Sequence, residues 1–214
     1  MQTDTFLARH RAAWQALWQV LVPGHADREA LLKQLTARYS EPHRHYHTLE
    51  HLDACLRHLA SVRAQLERPA ETTLALWFHD AIYEVGATDN ELRSADWARQ
   101  ALLDAGGAPY AAERVHAAIM ATRHDRPATT ADQQLLLDAD LAILGAPAPQ
   151  FDAYEQQISR EYAAVPRAAF RSNRRRILQS FLDRPRIYHS AVFHDAREAQ
   201  ARANLARSIR ALAD

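Results

Sequence analysis

Three short stretches, far apart in the chain, carry the residue types that bind divalent cations. Histidine is abundant, with 12 residues in 214, and five of them fall between His43 and His58. In the run Arg44-His45-Tyr46-His47-Thr48-Leu49-Glu50-His51, His47 and His51 are four apart and share one face of a helix. Neutral imidazoles presented in this way are good ligands for Zn, Mn, Fe or Ni. Such a pair alone is more often two surface or core histidines. The second stretch, Trp77-Phe78-His79-Asp80, closes an apolar run with an imidazole and a carboxylate. A carboxylate among Trp and Phe is costly unless it is paired or metal-bound. Adjacent helical positions point ~100° apart, so His79 and Asp80 can grip one ion from neighbouring directions. The third stretch, Leu135 to Leu144, places Asp138 and Asp140 inside an aliphatic helix. Two apart, they cannot both face one point. One is expected to face the metal, and the other to cap, pair or meet solvent.

The order His51, His79-Asp80, Asp140 resembles the H…HD…D signature of the HD superfamily of metal-dependent phosphohydrolases. Tyr46-His47 followed by His51 also resembles the opening of the cyclic-nucleotide phosphodiesterases. Blocks of the form RxYHxxxH, FHDxxY, DNExxSA and DADLxILG, expected in a small bacterial group of predicted HD hydrolases, stand here as Arg44–His51, Phe78–Tyr83, Asp89–Ala95 and Asp138–Gly145. The resemblance covers about 40 to 205 and is specific only in combination. It implies an all-α, HD-type helical bundle with one divalent metal ion (Mn, Ni, Zn, Fe, Co or Mg). The matching ligands are His51, His79, Asp80 and Asp140. His47 takes the position of a general acid toward the leaving oxygen, and the roles of His47 and His51 can be exchanged. Many such hydrolases carry an acid three residues after the HD aspartate; here that position is Tyr83, with Glu84 one further on. The identity of the general base is therefore open; Asp80 is expected as both ligand and partner to the water, and His47 or Glu84 to move protons to or from the leaving group.

The implied reaction is hydrolysis of a phosphate ester or phosphoanhydride, with a nucleotide as the substrate by analogy with the family. A metal-bound water becomes a nucleophile near neutral pH. Arg44, Arg123 and His124 are candidates to hold phosphate charge, and Glu91 is a weaker substrate-side candidate. For each arginine a surface ion pair is the commoner fate. Two other readings stand beside the hydrolase. One is a di-iron oxygenase of the same superfamily that recruits His116 and His124. The other is a sensor that binds nucleotide or metal without turnover.

The elements that must position these groups are helical throughout. Period-3.6 patterning and breakers predict helices over about 5–22, 27–39, 46–67, 71–83, 88–105, 109 onward, 130–144, 148–163, 167–183 and 194–212. In the first, Phe6, Trp14, Leu17, Trp18 and Leu21 form the apolar stripe. Asp27 is a candidate N-cap. Thr88 with Glu91, and Thr130 with Gln133, read as capping boxes. Gly106-Gly107 is placed to close a helix and Pro109 to open the next. With no low-complexity linker and no internal repeat, one helical domain over 1–214 is the simplest organisation, with a metal-binding core at about 40–145.

The chain as a whole excludes several classes. Basic and acidic residues balance at 26 each, so neither a nucleic-acid surface nor an anionic membrane is expected. The run Arg171, Arg174, Arg175, Arg176 reads as a solvated helix face. Five glycines in 214 residues argue against Gly-rich phosphate loops. Cys55 is the single cysteine, so no intrachain disulfide can form. No apolar stretch approaches a membrane span, and the polar start MQTDTFLARH does not resemble a secretory signal. The expected setting is cytoplasmic, with a small phosphate compound as partner and homo-oligomerisation left open.

Overall fold

A computed structural model describes residues 3–24 and 28–213. Among them, helix is the only regular secondary structure. The α-helices are α1 Thr3–Leu21, α2 Glu29–Arg38, α3 Leu49–Ser61, α4 Pro69–Phe78, α5 Asn90–Asp104, α6 Pro109–Ala121, α7 Ala131–Asp140, α8 Ala148–Glu161, α9 Arg167–Leu182 and α10 Ala191–Ala213, with 3-10 segments at Arg63–Gln65 and Leu141–Gly145. The all-α expectation holds. The chain divides into two compact units, one through Leu136 and one from Leu137 onward, and the division falls inside α7.

In the first unit α4 is the central element, touching α1, α3, α5 and α6. Its sequence explains this position: Leu74, Ala75, Leu76, Trp77 and Phe78 are all buried, and a helix apolar all round must be covered on every side. The ring of Trp77 meets Trp14 at 4.9 Å and Phe6 at 5.6 Å between centroids. Burying each such side chain contributes about 2–3 kcal/mol. Phe6, Trp14, Leu17 and Trp18 form the buried stripe of α1, with Val22 joining them and Leu21 half-buried.

The helix ends bear out some expected signals and shift others. Gly106, with φ +87°, ends α5, and the amides of Gly106 and Gly107 return to the carbonyls of Leu103 and Leu102 at 2.8 and 2.9 Å. This is the paired bonding of a Schellman end. Thr130 accepts from the Gln133 amide at 3.1 Å, while the Gln133 side chain reaches back to the Thr129 amide at 2.8 Å. The Thr88–Glu91 box does not form: Asp89 is the N-cap of α5 and makes no side-chain cap bond. Asp27 lies outside the described residues. Helix α3 opens three residues later than expected, with Thr48 accepting from the Glu50 amide. Helix α4 stops at Phe78, so His79 and Asp80 stand on the turn that follows it.

In the second unit the 3-10 segment Leu141–Gly145 lies against α10 and α8, and α9 packs on α10. Gly145 is required there, because a Cβ would fall 2.6 Å from Cβ of Arg197. Asn204, fully buried on α10, donates to the carbonyls of Leu144 and Ala146 at 2.8 Å each.

Candidate metal centre

Three donor atoms converge at the end of α4 and the start of α3. Nε2 of His51 lies 3.1 Å from Nε2 of His79. Oδ2 of Asp80 lies 3.1 Å from the His79 nitrogen and 3.4 Å from the His51 nitrogen. Ligands at the bond lengths usual for zinc define a tetrahedron with edges of about 3.3 Å. Octahedral oxygen and nitrogen ligands of a smaller divalent ion stand about 3.0 Å apart. The separations of 3.1, 3.1 and 3.4 Å lie close to these values.

The tautomer of one ligand follows from geometry. Nδ1 of His79 is 2.7 Å from the Leu76 carbonyl, which can only accept, so Nδ1 carries the proton. In the neutral ring the Nε2 lone pair therefore faces His51 and Asp80, an arrangement typical of metal-binding histidines. His79 is 1% exposed and His51 6%, which leaves both imidazoles little water to bond. Burial alone would raise the Asp80 carboxyl. Protonated imidazoles reverse that: the charges of His79 and His47, with hydrogen bonds from His51 and His79 in that state, hold it well below the usual carboxylate range. Asp80 is thus an anion among imidazoles, and the donor chemistry fits a divalent cation.

Sequence reasoning missed Cys55, considered there only as the single cysteine that rules out an intrachain disulfide. The residue is buried one turn beyond His51 on α3, and donor atoms of His51, Cys55 and His79 lie within 4.8 Å of one another. These residues form a buried group that could hold a metal ion. Its signal in the sequence was the His-x-x-x-Cys spacing. Sγ stands 3.6 Å from both ring nitrogens of His51, so it lies over the ring face, out of line with either lone pair.

The cluster rests on a backbone turn fixed by Arg44 and Tyr39. Arg44 was expected to clamp phosphate, and the structure corrects this. Its side chain is fully buried, and its guanidinium donates to the carbonyls of His47, Asp80 and Ala81 and to Glu41. Every arm is engaged in joining the 41–47 segment to the turn at Asp80. Tyr39 donates its hydroxyl to the Trp77 carbonyl and accepts the Asp80 amide, each at 3.2 Å. Burial pushes this phenol up to about 12, so it stays protonated. Together these two side chains set the direction of Asp80.

The other expected site residues divide. His47 lies in the turn before α3, not on the helix. Its ring stacks on Tyr83 at 4.1 Å and stands 5.8 Å from His51. Glu84 is 60% exposed and held by Arg93 at 2.8 Å, which lowers its carboxyl. Its side chain turns to solvent and to Arg93, away from the proton-moving role the sequence offered for it. Asn90 bonds both the amide and the carbonyl of Glu84, and Ser94 accepts the Ile82 amide. The 89–95 block therefore holds the loop behind the site. Glu91 is half-buried in the first turn of α5. Arg123 pairs with Asp125 at 3.2 Å, and His124 adopts φ +56°. His116 meets Asp96 at 3.3 Å.

In the second unit, α7 ends at Asp140, which is half-buried. Asp138 is fully buried and accepts the amides of His189 and Ser190 at 2.7 Å each and the Ser190 hydroxyl at 2.6 Å. It caps the start of α10 across more than fifty residues of sequence, as expected for one of the two acids.

No family model, no curated protein and no solved structure matches the chain.

Proposed function

We propose that this protein is a metal-dependent phosphohydrolase of HD type, acting on a phosphate ester or phosphoanhydride of nucleotide size. The observation that carries the proposal is the His79 lone pair facing His51 and Asp80 at ligand-to-ligand spacing. The order of the blocks along the chain supports it, and Asp140 is the fourth ligand on that basis. His51, His79, Asp80 and Asp140 would hold one divalent ion. Such an ion supplies Lewis acidity toward a phosphoryl oxygen and lowers the pKa of a bound water.

The chain's own groups supply the remaining chemistry. Asp80, held ionised among the imidazoles, accepts a hydrogen bond or proton from the attacking water. His47, stacked on Tyr83 at the half-exposed edge of the cluster, is placed to donate a proton to the leaving oxygen. Arg44 acts one step back, by orienting Asp80.

The test is elemental analysis of the purified protein, followed by a phosphate-substrate panel on the wild type and Asp80→Ala. Expected are near-stoichiometric divalent metal and turnover in the wild type, with both lost in the variant. Undiminished turnover in Asp80→Ala overturns the mechanism. A coloured, iron-loaded protein that consumes oxygen and lacks phosphatase activity overturns the reaction class.

A further inference from the structure

A groove of about 1040 Å³ runs along the outer face of α9 in the second unit, bounded on its other side by Leu212 and Ala213 at the end of α10. Arg167, Arg171, Arg175 and Arg176 line it, together with Ser172 and Ser180. The first three recur every four residues, so their charges repeat at about 6 Å along one helical face. Arg174 differs from its neighbours: it is buried and turns inward to Glu155 and Tyr154.

Three properties make this groove an anion site. Among the described residues, Arg167, Arg175 and Arg176 make no ion pair, whereas arginines such as Arg9, Arg93, Arg114, Arg174 and Arg207 each meet a carboxylate. The N-terminus of α9, at Arg167 and Ala168, has no side-chain cap, so its first amides and the positive end of the helix dipole point toward the same end of the groove. From residue 137 onward twelve arginines stand against nine carboxylates, a surplus of three that balances the deficit of the preceding part of the chain. Asp183 is the one carboxylate in the lining, at the far end. Arg171 also donates to the carbonyls of Ala211 and Leu212, so the cations free for a ligand are Arg167, Arg175 and Arg176.

No aromatic ring lines the groove. Single-stranded nucleic acids and nucleotides are ordinarily held by stacking bases on such rings, whereas the polar groups of this lining are charged side chains, two hydroxyls and the Gln179 amide. We infer that the groove binds a linear chain of phosphates, recognised through its backbone charge without base contacts. The site is separate from the histidine cluster and does not depend on the proposed hydrolase activity.

The experiment uses dye-labelled inorganic polyphosphate in fluorescence anisotropy with the full chain, across a salt series. It compares wild type, the variant R167Q/R175Q/R176Q, and R9Q as a control outside the groove, with folding checked by circular dichroism. Expected is saturable binding that the triple variant weakens at least roughly tenfold, with a salt slope lower by about 2 in magnitude, while R9Q binds as wild type. Metal content should be unchanged in all three. Absence of binding at low salt, an equal loss in R9Q, or tighter binding of single-stranded RNA of matched charge overturns the inference. If the triple variant is misfolded, R175Q alone is read in the same way, and unchanged affinity there overturns it.

Discussion

At the scale of single residues, the histidine–aspartate cluster depends on side chains behind its donor atoms. Removing the Tyr39 hydroxyl leaves the Asp80 amide and the Trp77 carbonyl without their partner. A buried polar group so stranded costs about 1–3 kcal/mol. Tyr39→Phe should lower stability by that order in urea unfolding. Because partners behind metal ligands tune affinity by roughly 10–100-fold, metal affinity measured by competition with a chelator should fall as well. Unchanged affinity in a destabilised variant would show that Tyr39 supports the helix end alone. Arg44→Met should be worse, since it strands three carbonyls at once and removes one of Glu41's partners. A loss of at least ~3 kcal/mol is expected.

At the scale of elements, long-range carboxylates tie helices together and make stability depend on pH. Asp53 on α3 bonds His10 at 2.7 Å and Arg9 at 2.8 Å on α1, and Arg57 at 3.0 Å on its own helix. Burial pushes its carboxyl up, but these partners outweigh that effect and hold it below its ordinary 3.8. A depressed carboxylate stabilises fully above its unfolded value, and that contribution fades as pH falls through the folded value. Glu198 on α10 behaves alike. Against a raising effect of burial, the Ile187 and Tyr188 amides and Arg202 keep it below its ordinary 4.5. The urea midpoint should therefore drop as pH falls below about 4, and Asp53→Asn should flatten part of that slope while lowering stability at neutral pH. An unaltered slope would remove the α1–α3 network as its source. Asp138→Ala should cost about 2 kcal/mol by leaving the start of α10 uncapped, read from the same unfolding curves.

At the scale of the whole molecule, a metal held by the proposed site would be linked to folding. A metal that binds the folded cluster and not the unfolded chain stabilises by about 2.7 kcal/mol at a hundredfold excess over its dissociation constant. Added divalent metal should raise the melting temperature, and a chelator should reverse the shift. Because imidazoles bind metal only when neutral, the stabilisation should vanish as pH falls below about 6, near the ordinary range for histidine. A metal-induced shift that persists in a His51→Ala, His79→Ala double variant would place the ion elsewhere. No helix of the described residues is long and apolar enough to cross a membrane, in keeping with the sequence reading.

The amino-acid sequence alone determined the helical architecture and most helix ends. Apolar periodicity, Gly106-Gly107, Pro109 and the Thr130–Gln133 pair act within a few residues of where they stand. It also singled out His79 and Asp80, because an imidazole and a carboxylate after an apolar run have few stable alternatives, while His51 was set apart from His47 only by the family resemblance. Tertiary structure decided which polar groups were already engaged. Arg44 is no phosphate clamp because the distant carbonyls of Asp80 and Ala81, with the nearby one of His47, converge on it. Asp138 is spent on a helix start more than fifty residues away. Glu84 turns to Arg93, and Cys55 lies against the His51 ring. Except for Cys55, one helical turn from His51, and the His47 carbonyl beside Arg44, these partners lie outside the local period that a sequence pattern encodes, since hydrogen bonds over long separations are chosen by packing.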